Sequence, residues 1–173
     1  PGAFSGFEMG LRAILGQQVT VKAATTIACR FVEAFGESIV TPVPELNRLT
    51  PAPARIAKAS IDDIARHGIV AARAKSIIAL AKAEGSGEIC LDGGAHHNPD
   101  DSIRQLAKLP GIGPWTAHYI AMRAMRWPDA FPKEDIAVRN NLGGVSAKEA
   151  EALSQPWRPW RSYAVMHVWS MPH

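Results

Sequence analysis

Cysteine is scarce in this chain, with two in 173 residues, Cys29 and Cys90. Two thiols cannot build a four-cysteine zinc or iron–sulfur centre. They could form at most one disulfide, and free, buried thiols in a reducing cytosol are the expected state. No stretch approaches the roughly 20 consecutive apolar residues of a membrane-spanning helix, and no signal-peptide pattern is read at the start. A glycine-rich, phosphate-cradling P-loop is missing. So is any alternating strand pattern longer than a few residues, and no repeat is visible. His96, His97, His118 and His167 have no metal-ligand spacing to cysteines or carboxylates. Solvated or packed histidines are therefore expected, with no side-chain metal site.

What is present points to a compact helical protein. Apolar residues make up 47% of the chain, and alanine, a strong helix former, is frequent. The length fits one domain or two small, closely packed lobes, enough to bury roughly 70% of the unfolded surface. The chain opens on Pro1 and not on Met, as a fragment or a processed chain would. The net charge of +3 is unevenly placed. Residues 1–100 carry 10 basic and 10 acidic side chains, residues 101–173 carry 9 and 6, and all five tryptophans lie from Trp115 onward. A basic, tryptophan-rich second half is compatible with nucleic-acid binding.

Hydrophobic periodicity predicts an amphipathic helix over 7–15, with Phe7, Leu11, Ile14 and Leu15 on one side. Gly16-Gln17-Gln18 breaks that pattern. A longer helix is expected over 19–35, stopped by Gly36. Residues 41–53 hold four of the thirteen prolines and read as connection, with one short helix at 45–49. Short helices follow at about 54–59, 61–67 and 71–83. A glycine-rich loop over 85–99 crosses between lobes, and Asp100 and Asp101 are plausible N-caps for the next helix. Further helices are expected near 135–142, 146–153 and 157–169. The fold class is all-α, a bundle of short helices.

The stretch 106–123, LAKLPGIGPWTAHYIAMR, organises the rest. Apolar Ile103, Leu106 and Leu109 sit at helical spacing. Pro110 disfavours helix at Leu109, Gly111 and Gly113 permit a tight turn, and Pro114 suits the first turn of a new helix. The result is helix, hairpin, helix, with the free N–H groups of the second helix facing outward as an anion site suited to phosphate. Downstream, Asp135 stands at the start of an apparent helix. It reads as an N-cap or as a chemically competent carboxylate, and the two are compatible because a helix N-terminus keeps a carboxylate ionised. Trp115 and Tyr119, four residues apart, share a helix face and read either as core packing or as an aromatic wall. Gln17 and Gln18 read as polar loop.

The hairpin LPGIG, the segment DAFPKED at 129–135 and WRPWRSYA at 157–164 occur in that order, with LRAILGQQV at 11–19 before them. Together they resemble the helix-hairpin-helix base-excision DNA glycosylases, and most nearly the 3-methyladenine DNA glycosylase II family. The resemblance covers nearly the whole chain. It implies two helical lobes with an active-site cleft between them: a middle lobe at about 20–95 and a second lobe of about 1–19 plus 96–173. The β-rich N-terminal lobe of some members is absent from these residues. By the same resemblance Asp135 is the catalytic carboxylate, and Trp115, Tyr119 and Trp169 line a pocket for an extruded base. Leu109, Gly111, Ile112, Gly113 and Thr116 hold the DNA backbone, and Gln18 sits at the wedge that fills the place of the flipped base. Some members carry Leu at that wedge, so Gln18 departs from them and could hydrogen-bond the orphaned partner base.

Glycosylases that also cut the strand carry a nucleophilic lysine where this chain has Trp115. The chain therefore looks monofunctional. Asp129 is expected to be structural and Glu134 exposed. Trp157 and Trp160 are expected to pack structurally, with Arg158 and Arg161 at the surface or in ion pairs. No cofactor is implied, apart from a structural Na+ or K+ on the hairpin carbonyls of Leu109 and Ile112. The implied partner is double-stranded DNA with alkylated bases. No membrane association is implied. The expected state is a cytoplasmic monomer, nucleoid-associated if bacterial. Two other readings stand beside this one: a non-catalytic helix-hairpin-helix DNA-binding module, and a glycosylase for another lesion.

Overall fold

A computed structural model describes residues 2–92 and 98–171. Among these residues the chain forms ten α-helices and one two-stranded ribbon. In order they are α1 (Gly6–Leu15), α2 (Val21–Phe35), β1 (Glu37–Ser38), β2 (Arg48–Leu49), α3 (Pro53–Ile56), α4 (Ile61–Ala65) and α5 (Ala71–Gly85). After them come α6 (Pro99–Leu106), α7 (Pro114–Arg123), α8 (Ile136–Asn141), α9 (Ala147–Leu153) and α10 (Arg161–Trp169). The protein is all-α, as the periodicity indicates. No helix among the described residues is long and apolar enough to cross a membrane.

Two hydrophobic cores meet at α7. The larger joins Phe7, Leu11, Ile14 and Leu15 of α1 to Phe31, Ile56, Ile64, Ile77 and Leu80, and takes Ala117 and Ile120 from α7. The smaller is built from Phe131, Val138, Ala150, Val165 and Val168, and takes Ala121 and Met122 from α7. One helix thus presents two faces to the two cores, which fixes its rotation and aims its N-terminus. Helix α1 packs on α5 and on α7, and it comes close to α5 because Gly10 has no side chain: a Cβ there would stand 2.8 Å from Leu80 Cδ2. The start of α1 is held from two sides. The Ser5 hydroxyl accepts the Glu8 N–H at 3.2 Å, and Asp92 Oδ1 accepts the Gly6 N–H at 2.7 Å.

Several expected elements are corrected. The helix expected at 45–49 is absent. The Thr41 hydroxyl donates to the carbonyls of Val43 and Leu46, closing a turn, and Arg48–Leu49 pairs antiparallel with Glu37–Ser38. Gly36 does end α2. The ribbon also needs it there, since a Cβ would stand 2.5 Å from the Leu49 carbonyl oxygen. Helix α2 starts at Val21, not at 19, because Thr20 caps it by accepting the Ala23 N–H at 3.3 Å. The N-cap of α6 is Asn98, whose side chain accepts the Asp100 N–H at 3.0 Å; Asp100 and Asp101 lie inside the first turn. The helix expected over 157–169 is divided. A single 3-10 turn, Gln155–Trp157, precedes Pro159, and α10 begins only at Arg161, since proline disfavours helix at the residue before it. The cysteines are free, but Cys29 is exposed and Cys90 half-buried, so neither is the buried thiol expected. His96, His97 and the expected lobe boundary at 95–96 lie outside the described residues.

Candidate active site

The hairpin forms where α6 hands over to α7. The Leu109 N–H donates to the Leu106 carbonyl at 3.0 Å, and the Ile112 N–H to the Leu109 carbonyl at 3.2 Å. Gly111 turns the chain at φ +74°, and a Cβ on it would stand 2.2 Å from Ser76 Oγ of α5. Backbone angle and close approach therefore both demand glycine there. Ile112 is buried and anchors the loop in the larger core, while Gly111 and Gly113 stay exposed. Helix α7 opens with Gly113 as its N-cap and Pro114 in the first turn, with no side chain capping its N–H groups. The main chain of the hairpin is thus presented outward on a fixed base.

Asp135 is the N-cap of α8, and its Oδ1 accepts the Val138 N–H at 2.8 Å. The same oxygen accepts Trp169 Nε1–H at 3.1 Å, and Oδ2 accepts Trp115 Nε1–H at 2.7 Å. Three donors from three helices therefore converge on one carboxylate that is 8% exposed. Charge-assisted bonds of this kind fix its orientation. The Trp115 and Tyr119 rings stack with centroids 5.3 Å apart and planes 19° apart, and Trp169 leans on Tyr119 at 6.2 Å. The four residues expected to form a site are in mutual contact, but only Asp135 and Trp115 line the open cleft; Tyr119 lines a separate pocket against α1 and α2, and Trp169 sits behind the carboxylate. Sequence spacing did not show that the two indoles hold the carboxylate as well as flank it.

Asp135, Trp115, Gln18, Thr116 and the hairpin glycines face one open cleft of about 760 Å³. Gln18 is exposed at its lip, with φ +54°. Thr116 is buried, and its hydroxyl accepts Gln17 Nε2–H at 2.9 Å; the Gly111 carbonyl accepts the same amide group at 2.9 Å. Gln17 and Arg73, which donates to the Gln17 carbonyl, are the residues of this region that sequence reasoning missed. A glutamine in a loop and an arginine 56 positions away carry no local signal of such a role.

Behind the cleft, Asp129 is buried and structural. Arg161 Nε–H donates to Asp129 Oδ1 at 2.8 Å and its Nη2–H to the Asp129 carbonyl at 2.8 Å, while Arg158 pairs with the other carboxylate oxygen. Arg161 is itself buried and also reaches Glu151 at 3.1 Å, so it is an interior ion pair. Trp157 packs edge-on to Phe131 at 6.2 Å. Trp160 instead is 59% exposed and touches Tyr163, against the packed position expected. Glu134 is half-buried, its Oε2 covered and without a partner among the described residues, not exposed as expected. Near it, burial holds His118 below the ordinary histidine range, against the raising influence of Glu134 and Glu151. Among the described residues no group of three or more His, Cys, Asp or Glu side chains is placed to hold a metal ion.

Comparison with known proteins bears on the family and the fold. Residues 11–159 match the family model of the HhH-GPD superfamily base excision DNA repair proteins. DNA-3-methyladenine glycosylase 2 of Escherichia coli is 34% identical over 98% of this chain and 58% of its own length. DNA-3-methyladenine glycosylase of Bacillus subtilis is 34% identical over 94% of this chain and 56% of its own. The chain thus spans little more than half the length of these curated relatives. In fold it is similar to a 3-methyladenine DNA glycosylase from Archaeoglobus fulgidus, with a TM-score of 0.80 at 23% identity over 96% of this chain and 58% of the other. With the motifs, the helix-hairpin-helix geometry and the family match over most of its length, the chain belongs to the HhH-GPD superfamily of base excision DNA repair proteins.

Proposed function

We propose that this chain carries the catalytic centre of a monofunctional DNA glycosylase that hydrolyses the N-glycosidic bond of alkylated bases, 3-methyladenine and related purines above all. The observation that carries the reading is the Asp135 carboxylate, held by Trp115 and Trp169 at the edge of the cleft that the hairpin and Gln18 also face. The hairpin N–H groups take a DNA phosphate and set the position of the duplex without reading sequence. The damaged nucleotide swings out of the stack into the cleft. Trp115 and Tyr119 already stack on each other, which leaves no gap between them for a third ring, so the base in the cleft meets Trp115, the one of the three aromatics that lines it. An alkylated purine is cationic and is attracted to an aromatic face.

In the reaction the bond between the sugar C1′ and the base nitrogen breaks, and its electron pair leaves with the base and neutralises it. Positive charge develops on the sugar ring. The preoriented Asp135 carboxylate stabilises that charge. A water oxygen bonds to C1′ and loses its proton to the carboxylate or to solvent. A cationic base is already a good leaving group, so no strong general acid is required. No lysine lines the cleft among the described residues, and an indole cannot form a Schiff base with the sugar. Strand cleavage therefore does not accompany base release.

The carbonyls of Leu109 and Ile112 would suit a monovalent cation such as Na+ or K+, since the Leu109 carbonyl keeps one lone pair after accepting the Ile112 N–H. Bound there, the cation would neutralise phosphate charge. We also assign the lobes as about 20–95 and about 1–19 with 96–173, and the working state as a monomer beside DNA in the cytoplasm.

The test is a duplex treated with a methylating agent, with released bases followed by chromatography and strand breaks scored before and after alkali. Free 3-methyladenine with breaks only after alkali supports the reading. Breaks without alkali, or DNA binding without base release, overturn it.

A further inference from the structure

Gln18 is one of two non-glycine residues with positive φ among the described residues. An L-side chain resists this left-handed conformation, and such a residue persists where its surroundings hold it. Here the holding groups belong to its neighbour. The Gln17 side-chain amide bonds to the Gly111 carbonyl and the Thr116 hydroxyl, both at 2.9 Å. The Gln17 main-chain carbonyl, in the peptide unit that leads into Gln18, accepts from the Arg73 guanidinium. The third residue after Arg73 on α5 is Ser76, whose hydroxyl lies directly beneath Gly111. One helix therefore supports both the turn carrying Gln18 and the hairpin loop, and Gln17 ties the two together.

We propose that Arg73 and Gln17 are positioning residues that fix the backbone of Gln18, so that its side chain enters the DNA stack as a preset wedge coupled to the hairpin's phosphate grip. The proposal rests on the wedge reading of Gln18. It adds that the wedge is not a free surface side chain. Its aim is set by a charge-assisted bond to the Gln17 carbonyl and by the seat of Gln17 on the hairpin. Phosphate capture and wedge insertion then occur as one rigid movement, with no search over loop conformations in between.

The experiment follows base unstacking by stopped-flow fluorescence of a 2-aminopurine placed beside a lesion analogue in a duplex, a readout that does not depend on hydrolysis. Arg73→Met is expected to slow unstacking about tenfold, the scale of one lost charge-assisted bond, and Arg73→Lys to recover part of that loss. In a Gln18→Gly background, where glycine accepts positive φ freely and has no side chain to aim, Arg73→Met is expected to change the rate by less than about twofold. Thermal unfolding of each variant checks that the fold is kept. Equal losses in both backgrounds overturn the proposal, because Arg73 then acts on DNA directly. The steeper salt dependence of the wild-type protein would show the same. No loss from Arg73→Met in either background also overturns it. If Gln18→Gly alone leaves unstacking unchanged, the wedge reading itself fails, and that result is distinct from the other two.

Discussion

Replacing Asp135 with Asn separates charge from shape at the centre of the site. Asparagine caps helices as well as aspartate does, so α8 keeps its N-terminal bond from Val138. The amide, however, offers one oxygen where the carboxylate offered two. Placed at the Oδ1 position, that oxygen still serves Val138 N–H and Trp169 Nε1–H, and the NH2 group then faces Trp115 Nε1–H across the 2.7 Å that was a hydrogen bond. The reverse orientation sets NH2 against two donors and is worse. One donor–donor contact costs about 1–3 kcal/mol, against a typical total stability of about 5–15 kcal/mol, so the variant folds. The chemical step loses a preoriented charge, expected to slow base release by about 10²–10³-fold, or about 2.7–4 kcal/mol of barrier. Single-turnover release from a methylated duplex measures the rate, fluorescence anisotropy the DNA affinity, and urea unfolding the stability. Adding Trp115→Phe to Asp135→Asn removes the facing donor and is expected to restore stability while leaving the rate low. Wild-type base release by Asp135→Asn at unchanged DNA affinity would refute the reasoning.

Two further outcomes test the frame around the site. Arg161→Met leaves the buried Asp129 carboxylate with only the half-exposed Arg158 as partner; urea unfolding should show a loss of about 3–5 kcal/mol, and Asp129→Asn in the same background should recover part of it. Glu84 of α5 is raised to about 7, by burial first and by the Asp92 charge second, and its Oε2 has no partner among the described residues. The folded state therefore holds a proton that the unfolded chain has released above its ordinary 4.5. The stability this contributes is fully present below 4.5 and is lost as pH rises through 7. Glu84→Gln should accordingly match the wild-type unfolding midpoint at pH 5 and exceed it at pH 8. A gain of equal size at both values would show that the carboxyl is not the cause.

The elements that local chemistry controls were legible in the residue order. Proline and glycine at 110–114 dictate helix, turn, helix because they restrict or release backbone angles whatever surrounds them. The apolar spacing of α1 names its buried face, and Asp135 stands where a helix begins. What failed was also local in kind but was overruled at a distance: the 45–49 segment became a turn and a strand because Glu37–Ser38 was there to pair with Arg48–Leu49, and Glu134 was covered by packing that no neighbour in sequence reports. The tertiary structure alone decided that two indoles, from α7 and α10, donate to the same carboxylate, that Gln17 turns into the hairpin while Gln18 faces the cleft, and that Arg73 reaches across from α5 to hold them. The contacts of the indoles, Gln17 and Arg73 are hydrogen bonds between groups at least 20 positions apart. A sequence fixes which donors and acceptors exist, whereas their meeting depends on how the two cores rotate α7 between them.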